Sequence, residues 1–229
     1  AYSVSASGGD IEHLSDGLNS VAALTWSPDG DAIAVAGSDV EDASAGWQSW
    51  LFALESGRKP RKLTDDSISP AGGYAPLVPA PEMRWTSDGR VLFLAGHQGQ
   101  TTLFSVSLDN EELRQITAGG AGIGQVTFSA GAARAVIQNL PTDSAGDLVL
   151  IDVESGSTTQ LTDYNRDFLQ ENPAARVEKF SIHRVGYEIE SRLMFPTDFD
   201  PALRYPLVVD IHGGPHGVFS DSYNAIQQV

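Results

Sequence analysis

Trp26-Ser27-Pro28-Asp29-Gly30 returns as Trp85-Thr86-Ser87-Asp88-Gly89 and, in looser form, as Phe128-Ser129-Ala130-Gly131. A second marker keeps step with the first: Leu14-Ser15, Leu63-Thr64, Ile116-Thr117 and Leu161-Thr162. Two markers advancing together signal an internal repeat, here with a period of roughly 40–50 residues. Within the second copy the apolar and β-prone residues predict four strands, at about 82–85, 90–94, 102–107 and 113–117. Pro28-Asp29-Gly30 and Ser87-Asp88-Gly89 combine a restrained φ with a glycine that tolerates φ > 0, the chemistry of a tight turn. Glu55-Ser56-Gly57, Leu108-Asp109-Asn110 and Glu154-Ser155-Gly156 mark the third turn of each unit in the same way.

A repeat of this length built from four short strands predicts a blade of a β-propeller, which must stack on neighbouring blades to bury both its faces. The recurring Trp or Phe closes the first strand of each unit, where a large ring fills the gap between blades. Residues 2–6 and 11–15 read as the last two strands of a preceding blade. Two insertions, 38–48 and 65–81, lengthen the first copy; the second is rich in Pro, Gly and Ala and is expected to be a surface loop. Trp47, Trp50 and Tyr74 stand in or beside them as candidate contacts for substrate or a second subunit.

After Thr162 the pattern changes. Residues 163–179 are polar and turn-rich, with Asn172-Pro173 as a breaker. Phe180-Ser181-Ile182-His183 and the run from Tyr187 to Pro196 alternate with period two around Val185-Gly186, which predicts a hairpin. Tyr205-Pro206-Leu207-Val208-Val209-Asp210-Ile211 is a near-continuous apolar run, expected as a strand buried on both faces of a parallel sheet. It leads into His212-Gly213-Gly214-Pro215-His216-Gly217, and Asp221-Ser222 then offers a cap for a short helix. The chain is thus divided at residue 163 into propeller, 1–163, and a second unit, 164–229.

Three features together resemble the prolyl-oligopeptidase family of serine peptidases, and within it the acylaminoacyl-peptidase-like branch. They are the Trp-Ser-Pro-Asp-Gly turns, the hairpin from Gly186-Tyr187-Glu188-Ile189-Glu190 to Met194-Phe195-Pro196, and Ile211-His212-Gly213-Gly214-Pro215-His216-Gly217. The resemblance implies a mainly-β fold: a partial β-propeller of four-stranded blades over 1–163, then a linker and the N-terminal strands of an incomplete α/β-hydrolase catalytic domain over 164–229. It implies hydrolysis of short peptides through an acyl-enzyme, with release of N-acylated amino acids as one candidate reaction. A non-enzymatic propeller binding module is the alternative, against which the run from Leu207 to Gly217 weighs.

The glycine-rich stretch makes physical sense as an oxyanion hole, because preset backbone N–H groups stabilise the oxygen charge of a tetrahedral acyl-transfer intermediate. Adjacent glycines let the main chain turn sharply and approach the substrate without a Cβ. By the resemblance, Gly213 and Gly214 supply the donor and His212 packs beneath the turn to hold its shape. His212 and His216 are not read as a metal pair, since the Gly and Pro residues between them forbid the helix that puts both rings on one face. Glu111-Glu112 sits in a turn and is read as solvated rather than as a clamp for a substrate's amino terminus.

Composition bounds the remaining choices. The 229 residues carry a formal net charge of −16, a field that repels phosphate backbones and anionic headgroups, so neither nucleic acid nor membrane is an expected partner. Hydrophobic residues at 41% suffice for a packed core, while 23 Gly and 12 Pro imply many turns. The absence of cysteine removes disulfides and thiolate chemistry and suits a cytoplasmic location without requiring it. No phosphate-cradling loop or ligand cluster suggests a cofactor. No Gly-x-Ser-x-Gly occurs, so the nucleophile and its triad partners are not in this chain. The sequence is accordingly expected to be an internal portion of a longer polypeptide, inactive alone, whose partners are short peptides and the remainder of that polypeptide, with room for a homo-oligomer.

Overall fold

The computed structural model describes residues 1–41, 49–70, 82–118, 122–212, 219–224 and 226–228. Gly213, Gly214 and His216 lie outside them, as do Trp47 and Tyr74.

The predicted repeat appears as stacked antiparallel sheets. The first blade runs β3 (Ser20–Trp26), β4 (Ala32–Ser38), β5 (Trp50–Glu55) and β6 (Arg61–Lys62), preceded by the two-stranded sheet of β1 (Tyr2–Ser3) and β2 (Glu12–His13). The second blade contains β8 (Met83–Trp85), β9 (Arg90–His97), β10 (Gln100–Ser107) and β11 (Leu113–Gln115). Its first strand is split, because β7 (Ser69–Pro70), read from sequence as loop, also pairs with β9, at Gly96 and Ala95. The third blade is β12 (Gly122–Phe128), β13 (Arg134–Leu140), β14 (Asp147–Asp152) and β15 (Thr158–Gln160), each strand beside its sequence neighbour.

Period-two alternation explains the stacking. In β9, Val91, Phe93 and Ala95 enter a core shared with Ala32, Ala34, Ala36 and Leu51 of the first blade. The intervening Leu92 and Leu94 enter a second core with Ile123, Val126, Ile137 and Ile151 of the third. A central blade therefore buries both faces, and Phe93 and Leu92 are both 0% exposed. Where no sheet covers a face among the described residues, the equivalent positions are open: Trp26 is 52% and Leu161 50% exposed, against 7% for both Trp85 and Leu63. Trp85 also donates its indole N–H to the Thr25 carbonyl of the neighbouring blade at 3.1 Å, so the repeated ring is an inter-blade filler with a polar tether.

The two markers are hydrogen-bond devices. The hydroxyls of Ser27, Thr86 and Ser129 accept the N–H groups of Ala32, Arg90 and Arg134 at 3.0–3.1 Å, closing each first turn. The hydroxyls of Thr64, Thr117 and Thr162 accept the N–H groups of Leu51, Leu103 and Leu148, stitching the end of each blade to its third strand. In the third turn Gly57 and Gly156 adopt φ +70°, and in the second copy Glu111 takes the equivalent left-handed conformation at φ +57°. Trp50 is no loop contact: it opens β5, is 5% exposed, and donates to Asp66 at 3.0 Å.

Beyond Thr162, the stretch read as turn-rich contains α1 (Arg166–Glu171), which ends at Asn172 because the next residue is Pro173. The predicted hairpin forms as β16 (Val177–Arg184) and β17 (Tyr187–Met194), turning at Val185 and Gly186, both with positive φ. Two expectations fail. Residues 205–211 form no strand, and Leu207, Val208, Val209 and Ile211 are 73–86% exposed, because no strand runs beside them among the described residues to accept their ladder bonds. Nor does Asp221 cap a helix, since its carboxylate is engaged elsewhere.

Candidate functional site

His212, the one member of the predicted oxyanion group among the described residues, is exposed and lies edge-on to Phe219, with ring centroids 5.8 Å apart. That contact joins the residues on either side of positions 213–218.

Two residues past Phe219 the chain is held from several directions. Asp221 is 5% exposed. Its Oδ1 accepts from Nε and Nη2 of Arg192 in β17, at 2.9 and 2.7 Å. Its Oδ2 accepts from Gln100 in β10 at 2.9 Å and is ion-paired with Lys179 of β16. Burial alone pushes this carboxyl up, but the bonds from Lys179, Gln100 and Arg192 outweigh it and hold the group below its ordinary 3.8. The Asp221 N–H donates to the Gly99 carbonyl and the Asp221 carbonyl accepts from Gly122 N–H, both at 3.0 Å. Tyr223 N–H adds a bond to Pro141 O at 3.0 Å. The chain that follows the glycine-rich stretch is thereby fastened to the β9–β10 turn, the start of β12, the end of β13 and the hairpin.

Beside this hub a cleft of about 570 Å³ opens between the second blade and the hairpin. Its lining is polar, with His97, Gln98 and Gln100 on one wall and Lys179, Glu188 and Glu190 on the other. Glu111 and Glu112 do not reach it as a pair: Glu111 bonds Arg61 at 2.7 Å and Glu112 lies 3.5 Å from Arg90, both at the blade surface. Among the described residues no group of His, Cys, Asp or Glu is arranged to hold a metal ion, and no helix is long and apolar enough to cross a membrane.

No family model matches the chain. It is 25% identical over 182 residues to the uncharacterized peptidase YuxL of Bacillus subtilis, covering 77% of this chain and 27% of that protein. It is 26% identical over 135 residues to dipeptidyl-peptidase 5 of Porphyromonas endodontalis, covering 58% of this chain and 19% of that protein. The fold matches acylaminoacyl peptidase of Pyrococcus horikoshii with a TM-score of 0.67 at 20% identity, over 87% of this chain and 29% of that one. An acylaminoacyl peptidase bound to Z-Gly-Gly-Phe-chloromethyl ketone gives a TM-score of 0.69. The blades and hairpin thus share the fold of the corresponding part of these propeller-bearing peptidases. These similarities agree with the resemblance to the prolyl-oligopeptidase family that its motifs carry. It spans less than a third of the length of each of these relatives.

Proposed function

We propose that this chain belongs to a serine-type peptidase that hydrolyses short peptides through an acyl-enzyme, N-acylated amino acids being among the products released. In this reading residues 1–163 contribute part of the propeller, and 164–229 contribute the linker and the entry to the hydrolase domain. Gly213 and Gly214 present backbone N–H groups to the oxyanion, and His212 supports their loop. A serine from the remainder of the protein attacks the carbonyl carbon, its proton passing to a histidine base and on to the leaving amine; water then releases the acyl group. A cytoplasmic location goes with this reading.

The observation that carries it is where the chain is fastened. The residues that follow His212-Gly213-Gly214-Pro215-His216-Gly217 are tied through Asp221 to both propeller and hairpin, beside a polar cleft of about 570 Å³. A non-enzymatic binding blade has no use for such a stretch there.

The test is steady-state hydrolysis of N-acetyl-aminoacyl and free aminoacyl p-nitroanilides by the complete protein, with labelling by a fluorophosphonate. Turnover and one labelled serine are expected, and Gly214→Val lowers kcat by about 10²–10³, the range for a lost oxyanion donor. Peptide binding with neither turnover nor label makes the protein a binding module instead. Unchanged turnover in Gly214→Val removes the loop from the chemistry.

A further inference from the structure

We infer that Asp221 is a positioning residue for the oxyanion loop, a charged latch that fixes the chain just past His212–Gly217 to two blades and the hairpin at once. The inference rests on the peptidase reading above and deepens it.

Aspartate is rarely this buried unless it is paired, and here each carboxylate oxygen has its own cationic or amide donors. The donors come from separate parts of the fold: Arg192 and Lys179 from the hairpin, Gln100 from the second blade. The main chain repeats the pattern, since the N–H and C=O of this one residue reach Gly99 in the second blade and Gly122 in the third. Both partners are glycines where contact is close. A Cβ on Gly122 would stand 3.2 Å from Ser222 Cβ, and one on Gly99 would stand 3.0 Å from Arg192 Nη2. Three independent elements therefore converge on a single residue of the segment.

A purely stabilising role explains this poorly. Burying ion pairs is weak as a source of stability, because desolvation offsets most of the attraction, whereas a pair with fixed geometry specifies position well. What lies nearest in the chain is the proposed oxyanion donor, whose effect is steep in distance: misplacing reacting groups by about 1 Å can cost on the order of 10² in rate. A carboxylate gripped by the hairpin and by the second blade holds that register in both directions.

The experiment uses the complete protein, with active sites titrated so that rates refer to competent molecules. Asp221→Asn is expected to lower kcat by about 10- to 100-fold, with KM within about threefold of wild type. Affinity for a peptide aldehyde, whose tetrahedral adduct needs the oxyanion donor, falls by the same factor as kcat/KM. Affinity for the free peptide-acid product stays unchanged. Arg192→Lys keeps the charge, loses the fork, and lands in between; it decides the matter should Asp221→Asn not fold. The inference is overturned if both variants match wild type per titrated site, or if aldehyde and product affinities fall together, as a loosened structure would produce. A wild-type protein with neither turnover nor aldehyde adduct overturns the peptidase reading itself, and this inference with it.

Discussion

Replacing Thr117 by valine removes one oxygen from the protein and leaves its volume nearly unchanged. In the native blade that oxygen accepts the Leu103 N–H at 3.2 Å, at a site where Thr117 is 7% and Leu103 0% exposed. Water has no route to the stranded amide, so the variant bears the desolvation cost of an unpaired donor, about 1–3 kcal/mol. The exposed counterpart in the other marker supplies the control. Ser129 accepts Arg134 N–H at 3.1 Å in an open turn, where solvent replaces the lost partner, and Ser129→Ala is expected to cost under about 0.5 kcal/mol. Urea unfolding followed by tryptophan fluorescence measures both, since Trp85 lies in the adjoining core. Equal losses for the two variants, or a Thr117→Val midpoint indistinguishable from wild type, would refute the idea that the recurring Leu-Thr marker is a buried stitch.

Two further outcomes follow from the hairpin and the hub. Val185 is a β-branched residue at φ +50°, 85% exposed at the β16–β17 turn, so Val185→Asn is expected to raise unfolding stability by about 1 kcal/mol in the same urea assay. Asp221 has its folded pKa depressed below the ordinary 3.8, so the stability it contributes is complete above the unfolded value and is lost as pH falls through the lower folded one. The gap between wild type and Asp221→Asn, measured by denaturation across acid pH, is therefore constant near neutrality and closes only below 3.8. A gap that closed between about pH 5 and 7 would point to a histidine instead.

Most of the blade architecture was legible because it is local and repeated. Each turn has a hydroxyl and usually a glycine at a fixed offset, and each strand alternates with period two, so the markers at Trp26, Trp85 and Phe128 announced sheets that the structure contains. The hairpin at Val185-Gly186 was legible for the same reason. Insertions broke the rule: Ser69–Pro70 joins β9 across residues that carry no strand signal, and Trp50 belongs to a buried strand rather than to the loop before it. Apolar composition alone misled at 205–211, where strand formation depends on neighbours that no local pattern specifies.

The candidate site divides along the same line. Residue order alone established the repeat, the break after Thr162 and the glycine-rich stretch, since turn chemistry and side-chain alternation act between residues adjacent in the chain. Only the folded arrangement decided what Asp221 does. From sequence it was a helix cap next to Ser222; in space Gln100, Lys179 and Arg192 reach it from two other parts of the molecule. A carboxylate goes to whichever donors most fully repay its burial, and those donors were brought together by blade stacking and hairpin packing, forces that couple residues far apart in the chain.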